Sequence, residues 1–64
     1  MEIFLERENK MMQRDFEGTA RQLLEILAIN PETVLIARND TLITADATVT
    51  NSDKIILLSV ISGG

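Results

Sequence analysis

The stretch Lys54-Ile55-Ile56-Leu57-Leu58-Ser59-Val60-Ile61 is the most apolar segment of the chain, and its aliphatic character predicts a β-strand. Because successive side chains of a strand point to opposite faces, this segment would present apolar residues on both faces. A strand of that kind is stable when both faces are covered. We therefore expect it to lie at the centre of a sheet, between the first and third strands of the chain.

The N-terminal segment predicts a β-hairpin. Met1 to Glu6 has the period-two pattern of a strand, with one side formed by Met1, Ile3 and Leu5. Arg7-Glu8-Asn9 is a short polar connection that ends in a residue tolerant of left-handed backbone, and Lys10 to Phe16 would form the second strand. Three apolar side chains of this second segment are expected to fill the core: Met11, Met12 and Phe16.

A helix is predicted to begin after Glu17-Gly18. Thr19-Ala20-Arg21-Gln22 has the T-x-x-Q form of a capping box, in which the first and last residues satisfy each other's free backbone N–H groups. Asn30-Pro31 is expected to end the helix, since proline cannot continue the hydrogen-bond ladder. Ile29 is expected to pack beneath the end of the helix. One apolar stripe with helical spacing would pack on the sheet: Ala20, Leu23, Leu24, Leu27 and Ala28.

The remaining segments complete an α+β pattern. Val34 to Arg38 and Thr41 to Thr44 predict two strands joined at Asn39-Asp40. Asp46 to Thr50 is polar and is predicted to be irregular, and Asn51-Ser52-Asp53 forms a turn that Asp53 caps. The order predicts a β-grasp (ubiquitin-like) fold, a mixed four- to five-stranded sheet with one helix packed across it. We expect a single domain over residues 1–64, with a flexible C-terminal tail at 61–64.

The composition excludes several classes of function. The net charge of −4 is unsuited to direct nucleic-acid binding, and the apolar runs are too short to span a membrane. Because the chain contains no Cys and no His, it lacks the common nucleophile, general base and metal ligand. We therefore expect no enzyme activity, no catalytic residues, no metal and no cofactor. The absence of a secretory signal predicts a cytoplasmic protein, most simply a monomer.

The terminal Gly63-Gly64 is the feature that carries chemistry. At average glycine usage, such an ending arises by chance roughly once in 200 sequences. Glycine backbone passes through slots too narrow for a Cβ, so this tail could thread into an enzyme and present its carboxylate for adenylation. The alternative is a frayed terminus without function.

Four segments together resemble the ubiquitin-like sulfur carriers of the ThiS/MoaD type. The segments are Thr19–Leu27, Asn30–Asn39, Asn51–Leu58 and Ser59–Gly64. The resemblance implies that Gly64 is adenylated by an enzyme of the ubiquitin-activating type and converted to a thiocarboxylate. Gly63, which has no side chain, would let the end of the chain pass through a narrow channel to that enzyme's active site. It also implies a sulfur donor such as a cysteine desulfurase and a sulfur-accepting synthase, while ATP and magnesium belong to the activating partner. Ser52, where the family often has glycine, is a departure in the turn before the last strand.

The predicted last strand also supplies a candidate docking surface. If Ile55 and Leu57 face the helix, Ile56 and Leu58 must face the other way, as an apolar patch beside the reactive tail. The partner-binding surface would continue through Val60, Ile61 and Ser62. The alternative is that these residues only cover the edge of the sheet or pack on Phe4.

Three functions remain open at this point. The first is a sulfur carrier for thiamin, molybdopterin or tRNA-thiolation biosynthesis. The second is a ubiquitin-like modifier, in which activated Gly64 forms an isopeptide bond with a lysine of another protein. The third is an interaction domain with an incidental tail.

Overall fold

The strand Lys54–Ser59 lies at the centre of a five-stranded sheet in the computed structural model, which describes residues 1–60. The predicted tail at 61–64 lies outside the described residues. The strands in chain order are β1 (Glu2–Leu5), β2 (Lys10–Gln13), β3 (Gly18–Thr19), β4 (Val34–Arg38), β5 (Thr41–Ile43), β6 (Thr48–Val49) and β7 (Lys54–Ser59). The helix α1 spans Ala20–Ile26, and two 3₁₀ turns span Glu6–Glu8 and Pro31–Thr33.

The sheet has the strand order β2-β1-β7-β4-β5. β7 pairs in parallel with β1, from Glu2 opposite Lys54 to Leu5 opposite Leu57. Its other neighbour, β4, is antiparallel, as are the outer pairs β1–β2 and β4–β5. These pairings confirm the α+β class and the β-grasp arrangement. They also confirm that the last strand lies between the first strand and Val34–Arg38, which was the third strand predicted from the sequence and is β4 in the structure.

The core lies between one face of this sheet and α1. The fully buried side chains Ile3 and Ile55 lie opposite each other on β1 and β7, and Leu23 and Leu24 of α1 pack against them. The predicted capping box holds the start of the helix: Gln22 N donates to Thr19 Oγ1, and Thr19 N donates to Gln22 Oε1, both at 3.2 Å. Among residues 1–60, no helix is long and apolar enough to cross a membrane.

The helix ends at Ile26, so the predicted end at Asn30-Pro31 is wrong. Ile29 N donates to Leu24 O and Ala28 N donates to Glu25 O, with Ala28 in the left-handed region at φ 59°. This is a Schellman ending, in which the left-handed residue reverses the chain and the following apolar residue returns to the core. Ile29 packs on the core as predicted, whereas Ala28 is exposed and leaves the apolar stripe.

The chain between Phe16 and Thr50 adds a second, two-stranded sheet that the sequence pattern did not reveal. β6 pairs antiparallel with β3, so Asp46 to Thr50 is not wholly irregular. The reason is Val49, whose side chain is fully buried in the core. β2 ends at Gln13 rather than at Phe16, and Phe16 N donates to Asn51 Oδ1 instead of to a neighbouring strand. The Phe16 side chain nevertheless packs against the core, as predicted.

Two asparagines shape the tight turns. Asn39 and Asp40 join β4 to β5 with φ of 50° and 71°, as a two-residue hairpin of the type I′ class requires. Asn9, at φ 49°, ends the 3₁₀ turn between β1 and β2. Both positions were predicted as turns, and at Asn9 the prediction rested on the tolerance of asparagine for the left-handed region. β5 ends one residue earlier than expected, at Ile43.

Candidate functional site

The two faces of β7 differ in exposure as the alternation predicts. Ile55 and Leu57 face the helix and are 0% and 2% exposed. Ile56 and Leu58 point to the opposite, helix-free side of the sheet and are half-buried. We call that side the outer face.

An apolar row crosses the outer face at right angles to the strands. The pairing register aligns one residue from each of the five strands: Met11, Phe4, Ile56, Ala37 and Leu42. The middle of the row is covered by its neighbours, since Ala37 is buried and Phe4 and Ile56 are half-buried. Its ends are open to solvent, with Met11 at 50% and Leu42 at 62% exposure. The row is therefore apolar from edge to edge of the sheet, and its exposed area lies mainly at its two ends.

A second apolar group lies nearer the tail. Leu58 of β7 lies opposite Leu35 of β4, and Val60 follows β7 directly. Leu35 and Val60 are both 46% exposed. Of the predicted partner-binding residues, the structure thus brings Ile56, Leu58 and Val60 to one surface, whereas Ile61 and Ser62 lie outside the described residues.

Three outer-face residues were missed or misassigned from the sequence. Met11 was expected to fill the core, yet it is exposed, because its register with Phe4 turns it to the outer face. Met12 is the one that packs against the core. Leu35 and Leu42 were not singled out from the sequence. The alternation within Val34 to Arg38 was nevertheless sufficient to place Leu35 on the face of the sheet away from Ile36. Phe4, on which these residues would pack in the alternative interpretation, is the register neighbour of Ile56.

The end of β7 is held by hydrogen bonds from both sides. Ser59 N donates to Glu6 Oε2 at 3.4 Å, and Val60 N donates to the backbone oxygen of Thr33 at 3.1 Å. A pocket of about 320 Å³ opens beside this point, and its lining includes apolar residues such as Leu5 and Leu57 together with polar ones such as Thr33 and Ser59. Gly63 and Gly64, the predicted reactive residues, lie outside the described residues.

The opposite end of β7 is braced by Asp53. Its carboxylate accepts from Thr50 N at 2.8 Å and from Asn39 Nδ2 at 3.1 Å. The Thr50 N–H is the main reason why the pKa of Asp53 lies below its ordinary value of 3.8, and the Asn39 amide adds to the effect. Asp53 thus caps its own turn, as predicted, and it also ties that turn to the β4–β5 hairpin.

The residues that the structure describes offer little for catalysis or metal binding. Within residues 1–60, no group of three or more Asp or Glu side chains is placed to hold a metal ion. The one ion pair found in that range, Arg21 with Asp46 at 3.3 Å, is solvent-exposed and lies on α1 and the loop before β6. What the structure does present is an apolar surface and a strand that leads from it towards the diglycine.

Comparisons with known proteins agree with this architecture. The family model described as the ThiS family matches residues 7–64. The sulfur carrier protein TtuB of Thermus thermophilus is 46% identical over 44 residues, which cover 69% of this chain and 68% of the relative. The family match includes most of the sheet described above and continues through the diglycine.

Proposed function

The chain belongs to the ThiS family, and we propose that it carries sulfur as a thiocarboxylate on the carboxyl group of Gly64. The observation that carries the proposal is the extent of the family match, which runs to residue 64 and includes Gly63-Gly64. The similarity to a protein named as a sulfur carrier supports the same role. As a ThiS-family carrier, the chain is a substrate of its partners rather than an enzyme.

The proposed chemistry takes place at one carboxyl group. A carboxylate oxygen of Gly64 attacks the α-phosphorus of ATP on the adenylating partner, and pyrophosphate leaves. A hydrosulfide equivalent then adds to the acyl carbon of the adenylate, and AMP leaves as the thiocarboxylate forms. Since the chain has no Cys, no side-chain thiol competes for the transferred sulfur. The thiocarboxylate would then donate sulfur to a synthase for thiamin, molybdopterin or tRNA thiolation.

The outer face is the proposed docking surface for the adenylating enzyme. Its apolar row is centred on Ile56, and the second group around Leu58 extends it towards the tail. Interface cores favour apolar residues that are surrounded by a polar rim. Docking there would bring the residues beyond Val60 to the partner's active site. Ile61 and Ser62 would lie along this path, and the encounter would take place in the cytoplasm.

The test is the intact mass of the protein recovered from its own cells, combined with a search for lysine peptides that carry a remnant of Gly64. We expect a mass increase that corresponds to the exchange of one oxygen for sulfur. Deletion of Gly63 and Gly64 should abolish this increase and leave the circular dichroism spectrum unchanged.

The other outcomes of this experiment contradict the proposal in different ways. Modified lysines without the sulfur mass shift would establish a ubiquitin-like modifier. An unmodified mass in cells that contain the adenylating enzyme, with partner binding that survives the deletion, would leave only an interaction domain.

A further inference from the structure

The polar contacts at the end of β7 single out one side chain. β1 stops at Leu5, because the chain turns into the 3₁₀ segment Glu6–Glu8. The β1 backbone therefore no longer runs beside the last residue of β7. In its place, the Glu6 carboxylate accepts the hydrogen bond from Ser59 N.

Glu6 is itself held by the turn from which it projects. Asn9 N donates to Glu6 O at 3.2 Å and closes the 3₁₀ turn, with Asn9 in the left-handed region. The backbone of Glu6 is thus fixed relative to the sheet, so its carboxylate reaches β7 from a defined position.

The opposite side of the same strand end is held by a second turn. Val60 N donates to Thr33 O. Thr33 is fixed in the 3₁₀ segment Pro31–Thr33, where its N–H and its hydroxyl both donate to Asn30 O, at 3.0 and 2.7 Å. Two consecutive amides, those of Ser59 and Val60, are therefore anchored to different turns on either side of β7.

We propose that Glu6 is a positioning residue, which fixes the point where the ordered strand passes into the tail that carries Gly64. This inference rests on the proposed function, because it concerns how that tail is delivered to the adenylating enzyme. A chain that is already held at Ser59 and Val60 has less conformational freedom to lose when its end enters an active site. Glu6 would therefore favour binding of the carrier and leave the chemical step at Gly64 unchanged.

The experiment compares Glu6→Ala, Glu6→Gln and Glu8→Ala in the full chain. Glu8→Ala is the matched control, since it removes the same charge from the same exposed 3₁₀ turn. For Glu6→Ala we expect hydrogen exchange at the Ser59 amide to accelerate about 2- to 10-fold, the range that one net hydrogen bond represents. The KM for the carrier in adenylation should rise by a similar factor with kcat unchanged. Glu6→Gln keeps a side-chain oxygen acceptor and should restore most of both values.

The outcomes separate the two proposals. If the wild-type chain is not adenylated, the proposed function fails. If it is adenylated and Glu6→Ala changes neither Ser59 exchange nor KM, the positioning role alone is wrong. A higher KM without faster Ser59 exchange in the free protein would also overturn that role, since it would mean that Glu6 contacts the partner directly. A fall in kcat, or an equal effect of Glu8→Ala, would contradict it too.

Discussion

The two faces of β7 carry nearly the same residues and do different things. Ile55 and Leu57 on the inner face are removed from water, whereas Ile56 and Leu58 on the outer face are only half-buried. The hydrophobic effect stabilises the fold in proportion to the apolar area that is buried, at roughly 25 cal/mol per Å². The inner face therefore accounts for stability, and the outer face carries apolar surface that the isolated fold leaves partly in water.

The difference has a structural cause. The helix α1 has seven residues and covers one side of the sheet. The row from Met11 to Leu42 on the other side has no such cover among the described residues. A monomer usually exposes few contiguous apolar patches, and those it does expose are often functional. The comparison thus predicts that substitutions on the inner face affect folding, while those on the outer face affect partner binding.

The largest effect is expected for Ile55→Ala on the inner face. The Ile55 side chain is fully buried against β1 and the helix, so its truncation leaves a cavity and should cost about 2–5 kcal/mol of unfolding free energy. For a chain of this size, such a loss is a large share of the total stability. Urea denaturation followed by circular dichroism measures it. A loss equal to that of a surface substitution would show that this face is not the core.

The matched substitution Ile56→Ala tests the outer face. Ile56 lies in the middle of the apolar row between Phe4 and Ala37, and central interface residues carry most of the binding energy. We expect the KM of the carrier for the adenylating enzyme to rise about 10-fold or more. The unfolding free energy should fall by only about 1 kcal/mol, the typical value for a partly buried site.

The distinction between the two faces is wrong if Ile55→Ala and Ile56→Ala have equal or reversed effects on unfolding free energy and KM. Leu42→Ala, at the exposed end of the row, should change stability least of the three variants and should raise KM by less than Ile56→Ala. An unchanged KM for Ile56→Ala would remove the outer face as the docking surface. The proposal for Gly64 would remain, because it depends on the tail and not on this face.

Local patterns predicted the main elements because they reflect local physics. Strict alternation separated Ile55 from Ile56, and the spacing of Thr19 and Gln22 was sufficient to place the start of the helix. Ala28 shows the opposite situation. Alanine is a strong helix former, yet here it adopts left-handed backbone because Ile29 must return to the core. That constraint comes from tertiary packing and is not visible in the local sequence.

The candidate site was only partly predictable for a related reason. Met11 and Met12 are adjacent and chemically identical, so the sequence does not indicate which of them faces the core. The pairing of Met11 with Phe4 decides it. Val49 is fully buried, but it belongs to a strand of only two residues, Thr48–Val49, which is too short to show a periodic pattern. Alternation within a strand shows which of its residues share a face. It does not show which residues of neighbouring strands lie side by side, and that pairing is what forms the outer face.

The smallest effect is expected for the pH dependence of stability that Asp53 contributes at the start of β7. Asp53 has a pKa below 3.8 in the folded state because its carboxylate accepts hydrogen bonds from Thr50 N and Asn39. A group with a depressed folded pKa adds stability that is present above its unfolded pKa and is lost as the pH falls through the folded value. Asp53 should therefore stabilise the chain at neutral pH, and this contribution should decrease progressively as the pH falls below about 4.

Asp53→Asn isolates this contribution. Urea midpoints measured from neutral pH down to about pH 3 should show the variant below the wild type at neutral pH, with the difference shrinking as the wild-type carboxyl is protonated. Asp15→Asn removes one carboxylate elsewhere and controls for the change in net charge. Because Asp53 braces the start of β7 and does not lie in the apolar row, KM at neutral pH should stay at the wild-type value. A constant difference across the pH range would show that the side-chain geometry stabilises this turn, and that the ionisation of Asp53 does not.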